Sequence, residues 1–170
     1  MKILVLLIII SMTGMAKAQS SAQVTASATA TVIVPITISK AADMALGSIV
    51  SAPTGGTMQI HLDGSRTFSN SSNRTANPAP GQPAEFTLTG DANCTFSVTH
   101  NGNGTGSSQN HFFLFNGTNT MAFDLDTPNS TGNVLTGGVA DYLVTGTLTI
   151  GNNQVAGTYA GSWTEVVAYE

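Results

Sequence analysis

The stretch SAQVTASATATVIVPITISK, residues 21–40, decides the fold class because its side chains alternate in character. The odd-numbered positions are mostly Thr, Ser or Gln, and the even-numbered positions from 22 to 38 are all apolar: Ala22, Val24, Ala26, Ala28, Ala30, Val32, Val34, Ile36 and Ile38. Successive side chains of a strand point to opposite faces, so this pattern is typical of a β-strand with one buried face.

The alternating stretch is long for one strand. At about 3.3 Å per residue it would span roughly 55 Å, whereas a compact domain of this size should be only about 35–40 Å across. Two interpretations stay open. Either the stretch forms two strands joined without a turn, or its first half reaches beyond its own domain.

The first residues have the pattern of a secretory signal peptide. Lys2 provides a positive start, residues 3–10 are an unbroken apolar run, and Ala16 and Ala18 are small residues two positions apart. This pattern predicts cleavage after Ala18. Because no cysteine lies at the cleavage site, we expect an exported protein with no lipid anchor.

Charge excludes one large class of partners. After removal of residues 1–18, only Lys40, Arg66 and Arg74 remain against nine acidic residues. Three dispersed cations do not provide the basic surface that nucleic acid requires. We therefore expect no nucleic-acid binding.

The rest of the chain predicts an all-β domain. Short segments that alternate or are densely apolar occur throughout, at residues 45–50, 57–62, 85–89, 94–98, 111–115, 121–125, 142–150 and 157–169. Polar stretches at 69–82 and 101–110 separate some of them, and no sustained helical period appears. We predict an antiparallel β-sandwich of seven to nine strands.

The candidates for chemistry are few. No pair of histidines has the spacing of a metal site, so we expect all three at the surface or at strand ends: His61, His100 and His111. Asp124 and Asp126 are expected at a solvated strand end, and Cys94 as a small buried hydrophobe. No catalytic constellation can be named, so we expect no enzyme, no cofactor and no metal.

The long alternating first stretch and the closing segment at 157–169 together resemble those of bacterial chaperone–usher pilins, whose subunits are incomplete immunoglobulin-like sandwiches that lack one strand. Pilins typically have a Gly fourteen positions from the end and a penultimate Tyr, where this chain has Gly157 and Tyr169. The nearer similarity is to an uncharacterised secreted bacterial family, domain-of-unknown-function family 4402, which we group with those pilins. The motifs that carry it are VPITISK at 34–40, LGSIV at 46–50, FTLTG at 86–90 and AGTYAG at 156–161.

This resemblance implies a function in which a strand is donated between subunits. Residues 19–32 would be an N-terminal extension and 33–170 an immunoglobulin-like, pilin-like sandwich. The donor strand would present Ala22, Val24, Ala26, Ala28, Ala30 and Val32. The groove strand would contain Gly157, Tyr159, Gly161, Trp163, Val167 and Tyr169. The implied partners are like subunits, a periplasmic chaperone and an outer-membrane usher, and the implied location extends from the periplasm to a fimbrium or the extracellular space.

An alternative interpretation needs no partner subunit. The chain would then be a self-contained monomeric β-sandwich, secreted or at the cell surface, that binds a ligand through the polar loops at 69–82 and 101–110. In that case the long first stretch would bend at Pro35, because proline removes a ladder donor and is confined to edges and bulges. Periodicity alone does not reveal with which chain a strand pairs.

Overall fold

The computed structural model describes residues 21–75, 79–102, 109–126 and 133–170 of the 170-residue chain. The chain divides after Val32, and the two parts are described separately. Residues 21–32 form no strand and are exposed at every position. The predicted cleavage residues Ala16 and Ala18 lie outside the described residues.

The domain that follows is built from β-strands. Ten lie within the described residues: β1 Thr37–Ala42, β2 Gly56–Ile60, β3 Arg66–Phe68, β4 Ala84–Thr89, β5 Thr95–Gly102, β6 His111–Asn116, β7 Asn119–Asp126, β8 Asn133–Val134, β9 Val139–Ile150 and β10 Trp163–Tyr169. One 3-10 turn, Ser71–Asn73, interrupts the predicted polar loop. The all-β prediction is confirmed, with ten strands where seven to nine were expected.

The strands form two antiparallel sheets. In the larger sheet β1, β4, β9, β2 and β3 follow one another, and β7 joins β9 to β6. The smaller sheet has the order β10-β5-β8. Strands β1 and β10 each pair with a single neighbour, so each lies at a sheet edge. An edge strand leaves a row of backbone groups available to a further strand.

The core follows the predicted alternation. Phe86 and Leu88 in β4, and Met121, Phe123 and Leu125 in β7, are all buried. They belong to one cluster that also receives side chains from β5, β6 and β9. The inward face of these strands was therefore predicted correctly by parity.

Only the last four residues of the long alternating stretch, 37–40, are in a strand. β1 begins at Thr37, two residues after Pro35, and Ile36 and Ile38 pack half-buried against the core. Among the described residues before Ile36 no strand forms. Val24 and Val32 expose 95% and 96% of their surface. These two apolar side chains are therefore almost entirely exposed to solvent.

The prediction of a strand at 45–50 is wrong. Ala45 makes one isolated bridge with Gln82, through hydrogen bonds of 2.9 and 2.8 Å. At Gly47 the chain then adopts a φ of +70°, a left-handed conformation that breaks an extended strand. Within the described residues, the segment has this single bridge and forms no strand.

The predicted strand at 157–169 is correct only in its second part. β10 begins at Trp163, and the six residues before it contribute one bridge, between Ala160 and Phe115. Gly157 has a φ of +149°, and a Cβ there would lie 2.0 Å from the side-chain nitrogen of Asn116. This backbone conformation and close approach bend the chain before β10 and explain why alternation overestimated its length.

Candidate functional site: an apolar groove between two sheet edges

An apolar groove lies between two extended segments of the domain, residues 40–51 and 154–165. Four adjoining cavities, of about 460, 300, 170 and 130 Å³, share lining residues along it. The cavity near residues 40 and 43 is also lined by residue 165, and the one near residues 49–51 by residues 154–159. The two walls therefore run antiparallel to each other. We call this feature the acceptor groove.

Core side chains form the floor of the acceptor groove. They come from β6, β7 and β9 and are themselves at most 8% exposed: Phe112, Leu114, Met121, Phe123 and Leu148. Above this floor the wall side chains are only half-buried, although they pack on the core: Met44, Leu46, Ile49, Tyr159 and Trp163. Partly exposed apolar side chains along a concave strip are typical of a binding surface.

Arg66 holds the first wall in place. Its Nη1 atom donates hydrogen bonds of 2.8 Å to the carbonyl of Leu46 and 3.0 Å to that of Ser48. Partial burial lowers the pKa of the Arg66 guanidinium, and its buried Nη2 atom has no hydrogen-bond partner among the described residues. Gly47 is required between those two carbonyls, because a Cβ there would lie 2.6 Å from Arg66 Nη1.

The second wall is attached to β6 through its backbone. Ala160 and Phe115 exchange backbone hydrogen bonds of 2.8 and 3.0 Å. Gly161 passes close to that strand, because a Cβ there would lie 2.7 Å from the carbonyl oxygen of Phe113. Residues 160 and 161 of this wall line the cavity of about 460 Å³. The two walls thus lie on either side of an apolar floor.

A buried polar cluster closes one end of the acceptor groove. The Glu165 carboxylate lies 2.5 Å from His100 Nδ1, and their side chains are 4% and 2% exposed. Trp163 Nε1 donates a hydrogen bond of 2.5 Å to the other carboxylate oxygen. Tyr142 stacks on His100 with ring centroids 6.3 Å apart. Burial, and then the charge of Glu165, raise the pKa of the Tyr142 hydroxyl.

The structure distributes the predicted groove residues over two regions. Gly157, Tyr159, Gly161 and Trp163 line the acceptor groove, whereas Val167 and Tyr169 lie further along β10 and pack on the core. The Tyr169 hydroxyl accepts a hydrogen bond of 2.6 Å from the Asp91 N–H and donates one of 2.7 Å to the Val34 carbonyl. It therefore fixes the chain just before β1.

The side chains of the predicted donor set are all exposed: Ala22, Val24, Ala26, Ala28, Ala30 and Val32. The whole alternating pattern of residues 22–32 is therefore presented to solvent.

The burial of His100 was not expected from the sequence. We expected it at the surface or at a strand end, and it lies near the end of β5 but is buried opposite Glu165. The only sequence signal was the parity of His100 with Phe96 and Val98, which share its buried face. The other two histidines are half-buried, and Nδ1 of His111 lies 2.5 Å from an Asp124 carboxylate oxygen.

Three further features bear on the predicted chemistry. Cys94 is half-buried in the turn before β5, rather than fully buried as expected. Asp124 is exposed near the end of β7, while Asp126 is half-buried within 3.4 Å of Thr147 Oγ1. In the described ranges no three His, Cys, Asp or Glu side chains are grouped so that they could hold a metal.

None of the helical structure in the same ranges is long and apolar enough to cross a membrane.

Comparison with known proteins gives one family. The model of a family described as a domain of unknown function (DUF4402) matches residues 36–169. No curated protein and no solved structure matches the chain. The matched range covers β1 to β10 and both walls of the acceptor groove.

Proposed function

The chain belongs to the DUF4402 family, and we propose that it is an exported, pilin-like structural or adhesive subunit that donates its N-terminal strand to a neighbouring copy. The observation that carries this proposal is the acceptor groove, an apolar trough bounded by two facing lengths of backbone. A strand added there would gain backbone hydrogen bonds from the edges, and its alternate side chains would enter the cavities. Residues 22–32, which we call the donor segment, are the occupant that we propose.

The donor segment has the chemistry that the acceptor groove requires. Its even-numbered side chains are apolar, its odd-numbered ones are mostly Thr, Ser and Gln, and Val24 and Val32 are almost fully exposed. Its length also fits. The eight steps from Ala22 to Ala30 equal those from Gly157 to Glu165, which corresponds to roughly 26 Å of extended chain.

Geometry favours donation to another copy over insertion into the same domain. Val34 is held by Tyr169, and the chain then runs along the acceptor groove as its first wall. To enter its own groove, the donor segment would have to reverse at residues 33–35. That stretch is Ile-Val-Pro and contains none of the Gly, Asn or Asp residues that tight hairpin turns need.

Donation between copies has consequences for assembly and partners. A contact in which one surface of a subunit binds a different surface of the next does not close on itself, so it produces fibres. Before assembly, an exposed apolar groove would require protection. We therefore include in the proposal a periplasmic chaperone that covers the groove and an outer-membrane usher that orders the subunits at the cell surface. No enzymatic activity is part of this proposal.

The test uses two complementary defects. One variant lacks residues 21–31 and keeps the groove, and the other carries Leu46→Trp, which fills the groove and keeps the donor segment. Each variant alone should stay monomeric, and a mixture refolded together should give a heterodimer that resists detergent without heating. The unmodified exported chain should give a ladder of oligomers that collapses on boiling.

Leu62→Trp is the matched control, because Leu62 is 51% exposed and lines none of the groove cavities described above. It should form the same ladder as the unmodified chain. If the unmodified chain is monomeric, or if the deletion leaves the ladder intact, the proposed function is wrong. A stable monomer would instead support the self-contained binding domain.

A further inference from the structure

Glu165 is an acidic residue on the otherwise apolar inner face of β10. Its neighbours on that face are Trp163 and Val167, yet its carboxylate is buried beside His100. A buried ion pair contributes little net stability, and apolar residues of similar volume often replace such pairs without loss. The hydrogen bond from Trp163 Nε1 to Glu165 suggests another role for the carboxylate, namely to orient the indole.

The Trp163 indole is held on two sides. Its Nε1 atom is bonded to Glu165, and its ring packs on Phe112 with centroids 5.4 Å apart and planes inclined by 35°. Trp163 also lines both the cavity of about 460 Å³ and the cavity of about 170 Å³. It is therefore a fixed partition between two adjoining compartments of the acceptor groove.

We propose that Trp163, oriented by Glu165, restricts the donor position that faces it to a side chain of alanine size. This inference rests on the proposed function and names the feature that selects the occupant of the acceptor groove. Four of the six inward donor positions are alanine, which is unusual for a strand that must bury apolar surface. An indole fixed across the groove explains an alanine at the position that faces it, because a larger side chain there would collide with a ring that is not free to turn.

Glu165 acts in this account as a positioning residue. Glu165→Gln keeps an oxygen that accepts the indole hydrogen bond, whereas Glu165→Leu removes it. Selectivity for small donor side chains should therefore survive the first substitution and weaken in the second. A purely structural role for Glu165 would change the stability of the domain and leave the preference between donors unaltered.

The experiment measures binding of synthetic peptides to the full chain. The donor segment of that chain is disabled by Ala26→Asp and Ala28→Asp, since a charge is costly to bury in an apolar groove. The parent peptide contains residues 21–33. Four others carry one leucine each, at position 22, 26, 28 or 30, and a control peptide carries Thr29→Leu on the outward face. Each is titrated by fluorescence anisotropy against the native groove and against Trp163→Ala, Trp163→Phe, Glu165→Gln and Glu165→Leu.

The parent and control peptides should bind the native groove equally. At one inward position leucine should weaken binding by roughly 10- to 100-fold, the scale of overpacking in a rigid site. Trp163→Ala should restore that peptide to within about threefold of the parent. Trp163→Phe should restore it partly, and this smaller change covers the case in which the alanine variant does not fold.

Two results would overturn the inference while leaving donation intact. Either all four leucine peptides bind as tightly as the parent, or a leucine penalty persists in both Trp163 variants. If the parent peptide itself does not bind the native groove, the proposed function fails, and this inference fails with it.

Discussion

The buried pair of His100 and Glu165 gives the sharpest stability prediction. Their side chains are 2% and 4% exposed and 2.5 Å apart. Removing one partner from a buried ion pair costs about 3–5 kcal/mol, because the other is left without compensation. We therefore expect His100→Leu and Glu165→Leu each to lower the free energy of unfolding by an amount of that size, which is a large fraction of the usual total of about 5–15 kcal/mol.

The double variant distinguishes a coupled pair from two independent residues. In His100→Leu/Glu165→Leu neither ionisable side chain is left buried without its partner, so the loss should be smaller than the sum of the two single losses by about 1–3 kcal/mol. Urea denaturation followed by circular dichroism measures all three. The control is Val166→Ala on the outer face of β10, where the side chain is 46% exposed and the change should stay near 0.5 kcal/mol. Single losses below about 1 kcal/mol, or strict additivity, would refute the reasoning.

Three more predictions concern the walls and the core. Gly47→Ala should lose more stability in thermal unfolding than Gly117→Ala, because both have positive φ but only Gly47 has neighbours that a Cβ would strike; equal losses would contradict the close packing of the first wall. Burial raises the pKa of Tyr142 above its ordinary value of about 10. The protonated hydroxyl therefore makes its full contribution to the free energy of unfolding below that pH, and this contribution is lost as the pH rises further. An alkaline absorbance titration should show a late-ionising tyrosine that Tyr142→Phe removes. If the unmodified chain shows no such tyrosine, the prediction is wrong. Tyr169→Phe removes two hydrogen bonds, so it should lower the free energy of unfolding, measured in urea, by about 1–3 kcal/mol. It should also speed amide hydrogen exchange near Val34, and unchanged exchange there would contradict the role of Tyr169 in fixing the chain before β1.

Local pattern was enough to predict the strands that bury one face. In β4 and β7 each inward residue follows directly from parity, since a strand that packs on a core has a period of two. The same rule overestimated the closing strand and the segment at 45–50. In both cases a glycine takes a φ that an alternating sequence does not reveal, and in both a Cβ would strike a distant side chain, Asn116 or Arg66.

The acceptor groove could be predicted only in part. The wall that contains Tyr159 and Trp163 was implied by the resemblance to pilins, but the opposing wall and its anchor Arg66 depend on contacts about twenty residues apart. The burial of His100 and Glu165 depends on the pairing of β5 with β10, which are more than sixty positions apart in sequence. Glu165 shares the parity of Trp163 and Val167, but that parity gives no reason to expect a partner for its carboxylate.

The most direct test of strand donation is a cross-link between two different chains. Both carry Cys94→Ser. One also has a cysteine at an inward donor position, 26, 28 or 30, and the other has Leu46→Cys in the first wall of the acceptor groove and lacks residues 21–31. The account predicts a disulfide-linked dimer when the two are co-expressed and exported, for at least one inward position, and none for the outward control Thr29→Cys. Absence of a dimer at all three inward positions, or equal linking by the outward control, would contradict donation of residues 22–32 into the acceptor groove.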